Sequence, residues 1–364
     1  MENDAHWMRL ALEQARLAKR LSPPNPSVGA VIVKEGKVIA QGFTQQVGGS
    51  HAEIMALRDA FERQVSVQGA TLYVTLEPCS HYGRTPPCAL AVIKSGIKRV
   101  VAAMKDPNPA VAGRGLAMLS EAGIDVRSDV LSKEAWEMNA GFFTRMTEHR
   151  PWVRLKCAST LDGRTALSDG RSNWITGEEA RKDNQYWRGQ AGAIVSGIGT
   201  VLADDPHLNV RLPDQVRFPY KVIVDSKLQT PPQAKLFEDG QVWIFAAQDD
   251  PLRRLALEKK GAKITILPDP LHTEKVDLAK MLSVLAQHEV NEVHLEAGAT
   301  LNGAFLARDL VDEILLYTAP CFFGTGRAIA NIEEPSSPNT APRWHIADFS
   351  QVGDDLRAIF RRRS

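Results

Sequence analysis

The sequence is poor in the features that mark secreted and membrane proteins. It has only 4 cysteines in 364 residues, no apolar run of the roughly 18 residues that span a bilayer, and no apolar segment in its first residues, MENDAHWMRL. A secretory signal and a disulfide framework are therefore not expected. We predict a cytoplasmic protein without a membrane partner, in which a close pair of cysteines favours a metal site.

An excess of charge of one sign is also missing. The formal net charge is +1, so the chain lacks the basic surface that follows a phosphate backbone, and no nucleic-acid partner is expected. The short arginine run at 361–363 is typical of a solvated tail. Hydrophobic residues make up 44% and charged residues 24%, which is the balance of a soluble globular protein long enough for two domains.

Strand-like and helix-like segments alternate in the first half. Apolar residues recur at helical spacing over 4–20, and the prolines that follow end this helix. A hairpin is predicted at 28–43, then helices at 51–61, 86–96, 113–123 and 131–151, with strands at 70–77, 98–104 and 124–126. The alternation predicts an α/β layer with helices packed on a sheet.

The charged stretch before Pro151 marks the predicted boundary between a domain at 1–148 and a domain at 149–364. Further strands are predicted at 152–159, 192–196, 221–226, 241–247, 263–267, 293–296 and 313–319, with two closing strands after 343. Helices are predicted between them at about 177–188, 251–259, 276–288 and 300–309. The second half is therefore a second α/β domain.

One group of residues in the first half carries metal-site chemistry: His51, Glu53, Cys79 and Cys88. One imidazole and two thiolates supply three ligands for zinc, which leaves a fourth position for water in a catalytic site. Glu53 lies two residues after His51, near the start of the same predicted helix, and can move the proton of that water without being a ligand. His-x-Glu followed by Pro-Cys and a second Cys is the pattern of zinc deaminases.

Each element alone has an ordinary structural explanation. A lone His-Ala-Glu is typical of a solvated helix face, and two cysteines are usually buried thiols. All three elements in this order favour the metal site. The spacing differs from the general deaminase pattern, because eight residues, not two, separate Cys79 from Cys88.

Several segments resemble a known family along the whole chain. In the first half they are PNPSVGAVIV (24–33), HAE (51–53), TLEPCSHYGRTPPC (75–88) and DPNPAVAGRG (106–115). In the second half they are KCASTLDGRTA (156–166), SNWIT (172–176), TVLADDP (200–206) and HLEAGATLNGAF (294–305). These segments resemble bacterial bifunctional riboflavin-biosynthesis proteins, which join a diaminohydroxyphosphoribosylaminopyrimidine deaminase to a 5-amino-6-(5-phosphoribosylamino)uracil reductase.

The resemblance implies a zinc-dependent, cytidine-deaminase-like α/β/α domain that hydrolyses the amine at C2 of the pyrimidine and releases ammonia. Three residues lie inside the loop between the two cysteines: His81, Arg84 and Thr85. Arg84 is the candidate for the substrate phosphate, with a surface arginine as the alternative. Asn25 can present an amide to the pyrimidine edge. Asp106 and Asn108 are weaker candidates, since they can serve only to close a turn.

The second half has no Rossmann GxGxxG after its first strand. From its residues alone it is a ligand-binding α/β domain at most. In EAGATLNGA (296–304) a strand end, a glycine and a helix start follow one another, and free amides there can hold a phosphate, although many strand-to-helix turns contain glycine.

The resemblance implies a dihydrofolate-reductase-like fold that uses NADPH. The dinucleotide contacts would be Ala158, Trp174, Thr200, Asp204, Ser226, Gly298, Ala299, Thr300, Leu301, Asn302, Gly303 and Ala304. The substrate contacts would be Ser172, Arg188, Leu208, Arg211 and Glu296, with Lys156 and Asp162 near the sugar. Hydride would pass from the nicotinamide to C1′ of the ribosylamino group, which opens the ribose to a ribityl chain.

The resemblance also implies a dimer or tetramer that forms through the reductase half. Two other classes of function conflict with the sequence. A nucleic-acid-editing deaminase conflicts with the near-neutral charge and the absence of basic–aromatic clusters. A protein merely stabilised by zinc conflicts with Glu53 beside a three-ligand site, because structural zinc sites are usually closed by a fourth protein ligand.

Overall fold

The computed structural model describes residues 2–80, 82, 86–108, 112–172 and 175–362. The chain divides into two compact units, Met1–His149 and Arg150–Ser364. Each unit has helices on both faces of a central sheet, so the predicted α/β class is confirmed in both halves. Within the described ranges, no helix combines the length and the apolar character needed to cross a bilayer.

The first unit is built on a five-stranded sheet in the order β2-β1-β3-β4-β5. Its strands are β1 Gly29–Lys34, β2 Lys37–Phe43, β3 Thr71–Val74, β4 Arg99–Ala102 and β5 Asp125–Arg127. Its helices are α1 Glu2–Ala18, α2 Ala52–Glu62, α3 Cys88–Ser95, α4 Arg114–Glu121, α5 Ser132–Met138 and α6 Ala140–Glu148. Strand β1 is antiparallel to its neighbours β2 and β3, whereas β3, β4 and β5 are parallel.

Alternation along the strands sends neighbouring side chains to opposite faces of this sheet. Val31 and Val33 pack with Met8 of α1 and Ala135 of α5 on one face. On the other face, alternate strand residues pack with α2, α3, α4 and α6 in a cluster that includes Ala30, Ile32, Leu72, Ala56, Val92, Leu119 and Phe143. Because both faces are covered, the functional groups of this unit are left to the edges where strands end.

The single helix predicted at 131–151 is wrong in one respect, since the structure has two helices, α5 and α6, broken at Asn139. The backbone of Asn139 leaves the helical region, with φ −121° and ψ 21°. Its side chain is 4% exposed and binds the main chain of Ser27. Asparagine side chains that bind main-chain groups compete with helical geometry, which explains the break.

The second unit is built on a nine-stranded sheet in the order β11-β10-β9-β8-β12-β6-β13-β16-β15. Its strands are β6 Trp152–Thr160, β7 Arg164–Ala166, β8 Ala193–Gly197, β9 Tyr220–Val224, β10 Val242–Ala246, β11 Lys263–Ile266, β12 Glu292–Leu295, β13 Glu313–Ala319, β14 Arg327–Ala328, β15 Trp344–Val352 and β16 Asp355–Arg362. Its helices are α7 Glu178–Gln190, α8 Ile198–Asp204, α9 Pro251–Glu258, α10 Leu278–Gln287 and α11 Ala299–Ala307. The strands from β11 to β13 are parallel, β16 and β15 close the sheet antiparallel, and β7 pairs separately with β14.

Four neighbouring parallel strands position the candidate site of this unit. In sheet order they are β9, β8, β12 and β6. One face of this part of the sheet is buried against α10 and α11. The other face is covered by α8 and α9 at β9 and β8, and by α7 at β12 and β6. Ligands of such sheets bind at the carboxyl ends of the strands, where the connecting loops meet.

Candidate functional sites

The strand directions of the first unit bring four loops to one edge of its sheet. The carboxyl ends of β3 and β4 lie there, together with the end of β2 and the start of β1, because β1 is antiparallel to β2 and β3. Gly29 and Thr75 join two of these loops through a main-chain hydrogen bond of 3.0 Å and a bond from Gly29 N to Thr75 Oγ1 of 3.1 Å. Residues distant in sequence, from Asn25 to Asp106, therefore follow or precede strands at the same edge.

Three metal-ligand side chains converge at this edge: His51, Cys79 and Cys88. Their ligand atoms all lie within 4.8 Å of one another, with His51 Nδ1 3.6 Å from Cys79 Sγ and 3.3 Å from Cys88 Sγ. Ligand atoms on a tetrahedral zinc lie roughly 3.3–3.8 Å apart, given its bond lengths. The donor set and its spacing therefore fit zinc, with Nδ1 as the ligand nitrogen.

Helix starts hold these ligands in place. His51 is the N-cap of α2 and Cys88 is the first residue of α3. The main-chain N–H of Cys88 donates to Cys79 Sγ at 3.2 Å. Hydrogen bonds from the Cys88 thiol and from His51 hold the pKa of Cys79 well below that of a free thiol, so Cys79 is set up as a thiolate ligand.

Glu53 lies in the first turn of α2 and is 4% exposed. Burial raises the pKa of this carboxyl to about 7, partly offset by His51. Because this carboxyl is buried beside three metal ligands, it is not a solvated surface group. It can carry a proton between groups bound at the site.

Glu77 is a buried carboxylate that we did not single out from the sequence. It accepts main-chain hydrogen bonds from Gly113 at 2.8 Å and Gly115 at 2.7 Å, at the start of α4, and from Asp106 at 3.2 Å. A Cβ at Gly115 would lie 1.9 Å from the carbonyl oxygen of Pro78, so only glycine allows this approach. Glu77 thus ties the segment before Cys79 to the loop that precedes α4.

The other predicted residues of this unit differ in where the structure places them. Asn25 is half-buried in the loop before β1. Asp106 Oδ1 accepts from Asn108 N at 2.9 Å, which is the contact expected of a residue that closes a turn. His81, Arg84 and Thr85 lie outside the described residues, as does Trp174 of the second unit.

In the second unit, residues predicted to hold the dinucleotide follow the ends of adjacent strands. Thr200 lies in α8 after β8, Ser226 follows β9, and Gly298 is the N-cap of α11 after β12. A Cβ on Gly298 or Gly199 would meet no atom within 4 Å, so this edge is open. Gly298 gives α11 no side-chain cap. The first-turn N–H groups therefore fit a phosphate such as those of NADPH.

Not every residue of the predicted dinucleotide turn faces this edge. Asn302 is 2% exposed and its Nδ2 donates to the carbonyl oxygen of Ile329 at 2.9 Å. A Cβ at Gly303 would lie 1.9 Å from the carbonyl oxygen of Asn331. These two positions serve helix packing, whereas Leu301 lies beside Gly197, the N-cap of α8.

Glu296, predicted to contact substrate, is the centre of a largely buried network. Arg188 binds both its carboxylate oxygens, Nε to Oε1 at 2.6 Å and Nη2 to Oε2 at 2.7 Å. Asn184 and His294 also contact Oε1, at 3.1 and 3.0 Å. Although burial alone would raise it, Arg188 holds the pKa of Glu296 well below its usual range.

The protonation of His294 follows from its neighbours. Burial lowers its pKa, and the ring is fully buried. Nε2 faces two acceptors, Asn184 Oδ1 at 3.0 Å and Glu296 Oε1 at 3.0 Å, so Nε2 carries the proton. Asn184 and Arg188 are four apart on α7, and His294 and Glu296 are two apart where β12 ends. These spacings place each pair on one face of its element, and they are the feature of the sequence that could have predicted the cluster.

Arg211 and Leu208 lie in the loop after α8. Arg211 is exposed, its N–H donates to Gln185 Oε1 at 2.9 Å, and its Nη1 donates to Asn209 Oδ1 at 2.9 Å. The Leu208 side chain is 3% exposed in the core, so only the backbone of this residue is available to a substrate.

The remaining predicted residues lie at the ends of strands and helices. Lys156 and Ala158 are half-buried on one face of β6, and Ser172 is half-buried. Asp162 closes the turn after β6, accepting from Thr160 Oγ1 at 2.5 Å and from Gly324 N at 2.7 Å. Asp204 is the exposed last residue of α8.

Two family models match the chain. The model described as the cytidine and deoxycytidylate deaminase zinc-binding region matches residues 1–104, and the RibD C-terminal domain matches residues 151–358. The matched regions separate the zinc-type site from the Glu296 network. Residues 105–150, which include Asn139, lie outside both matches.

Full-length relatives and solved structures agree with these matches. The chain is 41% identical over 372 residues to riboflavin biosynthesis protein RibD of Haemophilus influenzae, covering 98% of this chain and 97% of that protein. It is 40% identical to RibD of Escherichia coli, covering 97% and 98%.

Two solved structures cover 100% of this chain and 99% of their own. Acinetobacter baumannii RibD has a TM-score of 0.89 at 40% identity. A diaminohydroxyphosphoribosylaminopyrimidine deaminase/5-amino-6-(5-phosphoribosylamino)uracil reductase from Thermotoga maritima has a TM-score of 0.88 at 33% identity. The chain therefore belongs to the family of the riboflavin biosynthesis protein RibD.

Proposed function

We propose that this chain is a bifunctional riboflavin biosynthesis enzyme, with a zinc-dependent deaminase domain at 1–148 and an NADPH-dependent reductase domain at 149–364. The observation that carries the proposal is the cluster of His51, Cys79 and Cys88 beside the buried carboxyl of Glu53. Full-length similarity to riboflavin proteins supports this function over a nucleic-acid-editing deaminase.

The first reaction is the hydrolysis of 2,5-diamino-6-(5-phosphoribosylamino)pyrimidin-4-one. The C2–N bond to the exocyclic amine breaks, a C2–O bond forms, and ammonia and 5-amino-6-(5-phosphoribosylamino)uracil are released. His51, Cys79 and Cys88 hold zinc, which when bound supplies Lewis-acid activation of water. Glu53 accepts a proton from the attacking water and delivers it to the departing amine nitrogen. Asn25 and Arg84 bind the pyrimidine edge and the phosphate.

A substitution of Glu53 tests this step. Glu53→Gln keeps the size of the side chain but removes its proton transfer, so ammonia release falls by about a hundredfold or more. Zinc content stays at the wild-type level, and NADPH oxidation with the deaminated substrate is unchanged. The matched control is Glu62→Gln, an exposed residue at the other end of α2. Unimpaired deamination by a zinc-loaded Glu53→Gln protein contradicts the proposal.

The second reaction reduces the ribosyl group of 5-amino-6-(5-phosphoribosylamino)uracil to a ribityl group. NADPH, when bound, would supply a hydride for C1′; the C1′–O4′ bond breaks, and O4′ takes up a proton to become a hydroxyl group of the ribityl chain. The proposed dinucleotide contacts are Ala158, Trp174, Thr200, Asp204, Ser226 and the 298–304 turn; Asn302 and Gly303 support that turn by packing. Arg188, Arg211, Glu296, Ser172, Lys156 and the backbone of Leu208 hold the substrate. No protein nucleophile is needed.

Incubation with the deaminated substrate tests the second reaction. NADPH absorbance is lost in the presence of that substrate and kept in its absence. Oxidation of NADH far faster than NADPH would overturn the cofactor assignment.

The homo-oligomer expected from the resemblance stays a prediction, as does the cytoplasmic location. One feature supports an oligomer through the reductase unit. β15 is an edge strand with exposed Ile346 and Phe349, and such edges pair readily with another strand. Light scattering of the full chain measures the assembly, and a monomer at micromolar concentration contradicts it.

A further inference from the structure

Two arginines of the second unit converge on Asn209. Arg188 Nη1 donates to the main-chain oxygen of Asn209 at 3.0 Å, and Arg211 Nη1 donates to its side-chain Oδ1 at 2.9 Å. Both guanidinium groups therefore bind oxygens of the same residue. Arg188 uses three of its five N–H groups to bind Glu296 and Asn209, whereas Arg211 is exposed and its guanidinium group donates to Asn209 through Nη1.

An ion pair between the buried Lys221 and the exposed Asp239 anchors Asn209 from its other side. Asn209 Nδ2 donates to Asp239 Oδ2 at 3.0 Å, and Asp239 accepts from Lys221 Nζ. The Lys221 side chain is 3% exposed, and its Nζ also donates to the carbonyl oxygen of Leu236 at 2.9 Å. The amide orientation of Asn209 is thereby set, because its NH₂ group is engaged by the Asp239 carboxylate and its oxygen must face Arg211.

The backbone of this loop is also held in an uncommon geometry. Asp205 and Leu208 have φ of 41° and 48°, in the left-handed region that non-glycine residues seldom adopt. Gln185 binds the Arg211 N–H, and the Asp205 carboxylate accepts from Lys235 N at 2.9 Å. Strain of this kind persists where surrounding contacts hold a segment in one functional position.

We infer that Asn209, Asp239 and Lys221, here called the Asn209 relay, position Arg211 beside Arg188 to bind the phosphate of the reductase substrate. The three are positioning residues, since Lys221 is buried and Asp239 carries the wrong charge to contact a phosphate. A dianionic phosphate requires N–H donors at a set spacing. A free Arg211 side chain would lose rotamer freedom on binding, and the relay removes part of that cost in advance. The inference rests on the proposed reductase function.

Paired substrates and variants test the relay in the full-length, zinc-loaded protein. NADPH oxidation is followed with 5-amino-6-(5-phosphoribosylamino)uracil and with the same compound lacking the phosphate. Asn209→Ala and Asp239→Ala each raise KM for the phosphorylated substrate by about threefold or more, with kcat nearly unchanged and KM for the dephosphorylated compound unchanged. The double variant shows the same rise in KM as either single variant, because both act through one contact to Arg211.

The matched control is Glu238→Ala. Glu238 is next to Asp239 in the sequence, but its carboxylate faces His207, so this variant leaves both KM values unchanged.

A binding measurement separates this inference from the proposed function. Calorimetric titration of ribose 5-phosphate into wild-type protein without NADPH gives binding that Asn209→Ala weakens by a similar factor. If wild-type protein oxidises NADPH with neither substrate, the proposed function fails. If it is active but the variants change KM equally for both substrates, or leave ribose 5-phosphate binding unaltered, the relay is overturned.

Discussion

Asn139 forms two buried hydrogen bonds with the main chain of Ser27, accepting from its N–H at 2.7 Å and donating to its carbonyl at 3.0 Å. The residues are 112 positions apart. Asn139 lies at the break between α5 and α6, and Ser27 belongs to the loop that carries Asn25 at the candidate deaminase site. The segment after residue 104, outside the deaminase family match, therefore holds a loop of that site.

Replacing Asn139 with alanine leaves both main-chain groups of Ser27 without their partner. Each buried unpaired group costs about 1–3 kcal/mol, so we expect the first unit to unfold at a lower temperature. We also expect the KM for deamination to rise by a larger factor than the factor by which kcat falls. Zinc content and the reductase rate of the same chain stay at wild-type values. Lys133→Ala, on the exposed face of α5, is the control. A KM equal to the wild-type value would show that the loop does not depend on Asn139.

Loss of a zinc ligand separates the two activities. Cys88→Ser replaces a soft thiolate by a hydroxyl, so zinc content falls well below one per chain and ammonia release is lost. NADPH oxidation with the deaminated substrate continues, because that reaction needs no group of the first unit. Cys321→Ser, a half-buried thiol of the second unit, keeps full zinc content. Metal analysis and both activity assays on one preparation test whether Cys88 is a zinc ligand. A Cys88→Ser protein that holds one zinc per chain would contradict the proposed ligands.

Glu77→Gln tests the carboxylate that binds the main chain of Gly113, Gly115 and Asp106. The amide side chain of glutamine has one oxygen acceptor instead of two, so at least one main-chain N–H loses its partner. We expect a loss of about 1–3 kcal/mol in unfolding free energy. Hydrogen exchange rises in the described residues between 106 and 116. Glu121→Gln, exposed at the end of α4, is the control. Unchanged exchange in this loop would count against the role assigned to Glu77.

The Arg188–Glu296 pair predicts how stability depends on pH. Burial opposes ionisation of Glu296, but Arg188 outweighs it and holds the pKa well below the ordinary 4.5. Stabilisation by such a carboxylate is complete above the unfolded-state pKa and is lost as pH falls through the folded-state pKa. Glu296→Gln leaves a buried cation unpaired, so unfolding free energy at neutral pH falls by about 3 kcal/mol.

The difference in unfolding free energy between Glu296→Gln and wild type narrows as pH falls from the ordinary carboxyl pKa towards the lower folded-state pKa, because the unfolded wild-type chain then binds a proton that the folded chain does not hold. Urea unfolding at a series of pH values measures this. Glu289→Gln, exposed in the same unit, gives a difference near zero throughout. If the difference in unfolding free energy between Glu296→Gln and wild type stays constant to the lowest pH measured, Arg188 does not hold Glu296 ionised.

Local sequence patterns predicted most of the elements and the zinc ligands. The β1–β2 hairpin follows from two apolar runs around Glu35 and Gly36, both of which adopt positive φ. His51 and Glu53 were recognisable because they begin a helix two residues apart, and the cysteines because thiolates near a histidine favour zinc. Short β7 and β14 and the helix α8 were missed, since they have too few residues to show a period.

The chemistry of each candidate residue could be derived from the sequence alone, because side-chain type and local spacing determine what a group can ligate, donate or accept. The residue that each of them contacts in the fold could not be derived in this way. Arg188 and Glu296 were predicted as separate substrate contacts, yet they bind each other across 108 positions. Asn139 was assigned to a helix interior, yet it breaks that helix to bind Ser27. Such pairs depend on which strands lie side by side and in which direction they run, and only the packing of the whole sheet decides that.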